Sequence, residues 1–212
     1  MGHVRNRKKP IIQSLEQKYI YGRIRSGSKE NDIKVAADFA KVWLNVKKEN
    51  GVTGCAVFDI DDTLCTDKND PIKPVIDALY HCNKLKIPVY LLTARPNDPY
   101  NRKLTVEWLD NNNIIAKTNY KKLIMMPVIL RNQLDLSGDF KKITSTFKAD
   151  ERRKIGHIIA NFGDQPSDEI ISPYTKNLSF MNNIVKETAI ISPIVKDKTQ
   201  YESDMFFKFP GR

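Results

Sequence analysis

Two carboxylates spaced two residues apart, Asp59 and Asp61, close the apolar run Ala56-Val57-Phe58 and open the stretch Asp59-Ile60-Asp61-Asp62-Thr63. Acids at that place are costly for a strand unless they do chemistry. At the C-terminal end of a buried strand, positions i and i+2 share a side and face the space where open α/β sheets bind ligands. There, one carboxylate can attack a phosphorus atom. The other, kept protonated by its negative neighbour and by partial burial, hands a proton to the leaving oxygen. The expected chemistry is phosphoryl transfer through an aspartyl-phosphate.

Attack of one anion on another requires positive charge. Asp59 and Asp164, with the main-chain carbonyl of Asp61, offer the hard oxygen ligands that Mg²⁺ prefers, leaving positions for water and a phosphate oxygen. Lys148 neutralises the nucleophile and the phosphate. The Thr93 hydroxyl and the Ala94 amide donate to phosphate oxygens, and Arg95 joins that phosphate-binding set. Asp168 holds Lys148 or the metal's waters, and Thr63 supports the acid loop. Three of these residues also have an ordinary reading: Thr93 as a strand end, Lys148 as surface, Asp168 as a helix cap. Lys154 rivals Lys148 for the lysine role, and Asp62 reads as a loop hydrogen-bonder. His3, His81 and His157 belong to no motif.

The elements that must position these groups follow from periodicity. Apolar positions from Val35 to Val46, Phe39 and Trp43 among them, predict a helix capped by Asp32 and ending near Gly51. A strand over 53–59 leads into the acids. Pro71 opens a helix carrying Val75, Ile76, Leu79, Tyr80 and Leu85. A second strand, Val89–Leu92, stops at Thr93-Ala94-Arg95, and a helix over 101–112 carries Leu104, Trp108 and Leu109. Leu123–Ile129 reads as a third strand, followed by weak periodicity with a turn at Ser137-Gly138-Asp139. Lys148 opens the next helix. Asn161–Asp168 ends another buried strand, and Leu178–Met181 is a further candidate. The aromatics of 206–212 are expected to dock on the body. Apolar strands alternating with helices predict an α/β fold, a Rossmann-like three-layer sandwich with a mainly parallel sheet, whose polar strand ends converge on one edge. The 28 residues between Leu64 and Thr93 leave no room for a large cap domain. An uncapped site is open to bulky substrates, or to covering by the N-terminal arm or a second subunit.

Length and composition set the frame. The chain of 212 residues fits one domain, here 31–212 with an irregular tail from about 184, preceded by a basic arm over 1–30. A short helix over 11–21 is expected in that arm. Thirty-five Lys and Arg against 25 Asp and Glu give a net charge of +10, favouring anionic partners such as nucleotides or nucleic acid. Pairs such as Lys121-Lys122 and Lys141-Lys142 read first as solvated surface. Cys55, Cys65 and Cys82 form neither a disulfide framework nor a zinc pattern, so a reducing, cytoplasmic setting is expected. No run is long enough to span a bilayer, and no apolar targeting region follows the basic start.

Asp59-Ile60-Asp61-Asp62-Thr63-Leu64, Leu91-Leu92-Thr93-Ala94-Arg95, Lys148–Lys154 and Gly163–Asp168 together resemble, in order, the four motifs of the haloacid dehalogenase superfamily. Within it they are similar to the subfamily IIIB acid-phosphatase branch of bacterial class B enzymes, plant acid phosphatases and vegetative storage proteins. Phe207-Lys208-Phe209-Pro210 is similar to a C-terminal signature of the plant branch. The resemblance covers about Thr53 to Met181, and Pro166 departs from the aromatic common in the branch. It implies Asp59 as nucleophile, Asp61 as general acid and then base, Thr93 and Lys148 as stabilisers of phosphate and intermediate, and Asp164 as a metal ligand. Retention of Asp61 argues against dehalogenation.

Three functions compete. The first is a Mg²⁺-dependent phosphomonoesterase acting on a small phosphorylated substrate such as a nucleotide. The second removes terminal phosphates from nucleic acid, as the charge and open site allow. The third is a catalytically weak storage, scaffold or binding protein that keeps the fold. Intact Asp59 and Asp61 weigh against the last.

Overall fold

The computed structural model describes residues 23–24, 28–118, 120–137, 140–165, 189–192 and 206–209. The elements in chain order are β1 (Arg23–Ile24), α1 (Lys29–Glu49), β2 (Cys55–Phe58), α2 (Lys73–Lys84), β3 (Val89–Pro96), α3 (Pro99–Asn111) and α4 (Ile114–Lys117). They continue with β4 (Lys122–Met126), α5 (Val128–Ser137), α6 (Phe140–Ile155), β5 (Ile158–Gly163), β6 (Ala189–Ser192) and β7 (Phe206–Lys208). The sheet order is β1-β6-β7-β5-β2-β3-β4. Strands β4, β3, β2, β5 and β7 run parallel, and β6 lies antiparallel between β7 and β1. From β2 to β5 each connection carries one or two helices.

Both faces of the sheet are buried, as near-continuous apolar strands require. Ala56, Phe58, Leu91, Leu123 and Met125 face a core shared with Ala36, Ala40, Leu44 and Leu79 of α1 and α2. Val57, Leu92, Ile124 and Met126 face the other way, toward Phe147 and Ile143 of α6 and Leu130 of α5. The result is a Rossmann-like three-layer α/β sandwich, as the alternation predicts. No described helix is long and apolar enough to cross a membrane.

Tertiary contacts redraw several boundaries. Helix α1 starts earlier than expected because Ser28, not Asp32, caps it: the Ser28 side chain accepts from the Asn31 amide at 3.2 Å, and Asp32 lies buried in the first turn. Val35 and Val42, counted in its apolar face, are 37% and 45% exposed, whereas Trp43 is buried and donates its indole N–H to the Ile159 carbonyl at 2.9 Å. Helix α2 starts at Lys73, not Pro71, because the Ile72 amide is engaged by the Leu64 carbonyl at 2.8 Å and Pro74 takes the first turn. Leu104 is 44% exposed rather than core.

The third strand ends at Met126, and Pro127 then starts α5 through its carbonyl, which accepts from Leu130 and Arg131. Residues 128–129, read as strand, are therefore helical. Lys148 does not open its helix but sits in the second half of α6, and the weakly periodic segment is divided between α5, which includes Ser137 of the expected turn, and α6. Arg23–Ile24, assigned by composition to the arm, form an edge strand. The proposed helix over 11–21, Gly138 and Asp139 of the expected turn, the strand at Leu178–Met181, and Asp168 lie outside the described residues.

The C-terminal aromatics dock by becoming part of the sheet. Phe207 and Phe209 are fully buried, and the Phe162 ring stacks between those of Phe58 at 4.0 Å and Phe207 at 5.0 Å. This aromatic row runs from β2 across β5 to β7, and the Phe209 amide donates to Gly163 at 2.8 Å.

Candidate active site

Strands β2 and β5 are paired in parallel with Phe58 opposite Phe162, and the Asp59 amide donates to the Phe162 carbonyl at 3.0 Å. Asp59 and Asp164 therefore follow the ends of neighbouring strands, which run about 4.8 Å apart. Both are only 4% exposed.

Beyond Asp59 the chain reverses sharply. The Ile60 carbonyl accepts from the amides of Thr63, Leu64 and Cys65 at 3.3, 2.8 and 3.1 Å, and Asp62 adopts a left-handed φ of 53°. Aspartate tolerates that region better than most side chains. Ile60 is fully buried and pins the turn, so Asp59 and Asp61 are held on a loop with little freedom. Thr63 is fully buried under it, and its hydroxyl has no hydrogen-bond partner among the described residues.

The carboxylates meet cations from two other elements. Lys148 Nζ lies 3.0 Å from Asp59 Oδ1, with side chains 3% and 5% exposed. Withdrawing such a pair from water costs several kcal/mol per ion and is weak as a source of stability, so its presence at a strand end points to use. Arg95, from the end of β3, donates from Nε and Nη2 to Asp61 Oδ1 at 3.0 and 2.6 Å. Its Nη1 donates to Thr105 Oγ1 at 3.3 Å, and the Thr93 hydroxyl donates to Asp61 Oδ2 at 3.3 Å. Burial works against the charge on Arg95, but the hydrogen bond and charge of Asp61 outweigh it and raise the guanidinium above its ordinary pKa.

The surroundings of Asp61 differ from expectation. Its side chain is 52% exposed and clamped by a cation, rather than partly buried against a negative neighbour. Arg95 reaches it because β3 runs on to Pro96, past the expected end at Leu92.

Thus Asp59, Asp61, Thr93, Arg95, Lys148 and Asp164 converge on one rim, with Ala94 between Thr93 and Arg95. Lys154 does not join them: it pairs with Glu151 on the exposed side of α6. Cys65 is close to Arg95, but burial foremost, then the charge of Asp61, pushes its thiol up to about 12, so it is not a thiolate nucleophile near neutrality. Sequence reasoning missed Arg152, fully buried one helical turn after Lys148 and donating to Asn161 Oδ1 at 3.3 Å. The i, i+4 spacing from Lys148 was the available signal. Thr105, far from any motif, carried none.

Among the groups at this rim, the Asp59 and Asp164 carboxylates and the main-chain carbonyl of Asp61 are of the oxygen type that a hard cation takes. Asp164 Oδ2 also accepts from Gln165 Nε2 at 2.6 Å. No group of three or more His, Cys, Asp or Glu able to hold a metal is found among the described residues. A set of two carboxylates and one carbonyl does not require such a group. Neither a protein-family model nor a curated protein sequence matches this chain.

Proposed function

We propose that the protein is a Mg²⁺-dependent phosphomonoesterase of the haloacid dehalogenase type that works through an aspartyl-phosphate in the cytoplasm. The observation that carries this reading is the buried Asp59–Lys148 pair at 3.0 Å beside an Asp61 held by Thr93 and Arg95. Buried free thiols at Cys55, Cys65 and Cys82 fit a reducing compartment.

In the first half-reaction an Asp59 carboxylate oxygen bonds to phosphorus while the phosphorus–oxygen ester bond breaks. The leaving oxygen takes its proton from the Asp61 carboxyl. Lys148 balances the negative charge that builds on the transferring group, with hydrogen bonds from Thr93 and the Ala94 amide. An incoming phosphate dianion gives Arg95 a second anionic partner, which releases Asp61 to carry the proton. In the second half, Asp61 takes a proton from water as the water oxygen attacks phosphorus, the aspartyl–phosphorus bond breaks, and inorganic phosphate leaves. Asp59, Asp164 and the Asp61 carbonyl would hold Mg²⁺, whose bound charge supplies Lewis-acid stabilisation of the phosphoryl oxygens.

The test is hydrolysis of an aryl phosphate with added Mg²⁺. Turnover abolished by Asp59→Asn and by chelation supports the reading. Turnover surviving both rejects it, and wild-type turnover absent at every pH assigns the chain to storage or binding instead.

A further inference from the structure

At the opposite rim of the sheet, three helices surround a concavity of about 600 Å³ that the chemistry above does not use. That volume is typical of small-molecule sites. Its charged lining is Lys41 of α1, Asp77, His81 and Lys84 of α2, and Lys117 of α4, with the Tyr80 ring among them. Helix α2 begins just past the acid loop and carries these residues toward its far end. At 1.5 Å per residue, Lys84 lies on the order of 15 Å along the helix from its first residue.

The walls are tied together. His81 Nε2 is 2.9 Å from Asn45 Oδ1 on α1, Asn83 Nδ2 donates to the Lys117 carbonyl at 3.0 Å, and the Tyr80 hydroxyl donates to the Asn112 carbonyl at 3.1 Å. Lys117 Nζ stands 5.5 Å over the Tyr80 ring. Lys41 is bound at 2.6 Å by Asp38, while Lys84 and Lys117 are both exposed. Three lysines thus converge against two carboxylates, Asp77 in the lining and Asp38 beside Lys41.

From this convergence we infer that the α1–α2–α4 concavity is a second anion site, which takes a chain of linked phosphates such as that of a nucleoside di- or triphosphate. A single phosphate would leave most of the volume empty, whereas a multiply charged chain can meet Lys41, Lys84 and Lys117 together. His81 reports the local field: burial first, then the charges of Lys41 and Lys84, hold its pKa below the ordinary imidazole value. An anion lodged among those lysines reverses that electrostatic contribution, so binding raises the pKa of His81 and takes up protons.

The probe is sodium tripolyphosphate, added to the full chain in low salt with a chelator present. The readout is the His81 ring resonance, identified by its loss in His81→Gln. Saturable shifts, a raised His81 pKa in the bound form, and affinity weakened roughly three- to tenfold by Lys84→Gln or Lys117→Gln support the site. Lys154→Gln on the far helix should leave it unchanged. An unmoved His81 resonance, equal affinity in the lysine variants, or shifts produced by single-stranded oligonucleotide but not by tripolyphosphate would overturn it. Because the resonance belongs to this rim, the result does not depend on whether the carboxylate rim hydrolyses phosphate esters.

Discussion

At one rim of the sheet Asp59 and Lys148 face each other at 3.0 Å with almost no exposure, while at the other Lys84 and Lys117 stand in solvent beside Tyr80. The first arrangement joins opposite charges withdrawn from water. The second gathers like charges that water and salt screen. In the first, each ion depends on its partner, because an uncompensated buried charge is severely penalised. In the second, any one lysine is dispensable to the fold. The costly buried ions of the first rim are what the proposed chemistry rests on, and the open like charges of the second are what the proposed anion site rests on.

The largest expected effect is kinetic. Asp59→Asn leaves the shape of the carboxylate rim but removes the proposed nucleophile, and aryl-phosphate turnover should fall by about three orders of magnitude or more. Near-wild-type turnover would leave this rim no more chemical than the other. Next comes Lys148→Met, which strands a buried Asp59 charge. Urea denaturation should show a loss of about 3–5 kcal/mol, and the Asp59→Asn/Lys148→Met double variant should regain part of it. Equal losses in the single and double variants would deny the coupling.

Arg95→Gln tests the half-exposed part of the same rim. It should lower kcat/KM by roughly ten- to a hundredfold while changing stability by about 1 kcal/mol or less. Lys84→Gln, across the sheet, should leave turnover intact and shift stability by no more than about 0.5 kcal/mol. The smallest effect concerns pH. With the His81 pKa lowered in the folded chain, the unfolded chain binds the proton more readily, so this contribution to stability is lost as pH falls through the ordinary imidazole range. The urea midpoint should decline less from pH 7.5 to 5.5 in His81→Gln than in the parent.

Much of the carboxylate rim was legible because its groups sit where apolar runs stop. Asp59, Thr93 and Asp164 each follow a buried strand segment, and parallel strands with helical crossovers bring such endings to one edge. Lys148 was found without that help, yet its place within α6 was misjudged because a run as polar as Lys141–Thr146 hides its helical period. The partner of Asp61 was not legible at all. Nothing in the spacing of Asp61 and Arg95 says that β3 continues to Pro96 and delivers the guanidinium. The basic concavity at the other rim was equally hidden, since Lys41, Lys84 and Lys117 come from three separate helices and each alone reads as solvated surface.

The sequence by itself determined the layered α/β architecture and the kinds of groups at the strand ends, because strand burial and helical period are local patterns of polarity. Only the tertiary structure decided which charges pair, which stay open to water, and that Phe206–Lys208 completes the sheet as a strand. Those outcomes depend on contacts between residues far apart in the chain, where a few tenths of a nanometre separate a buried ion pair from a solvated side chain.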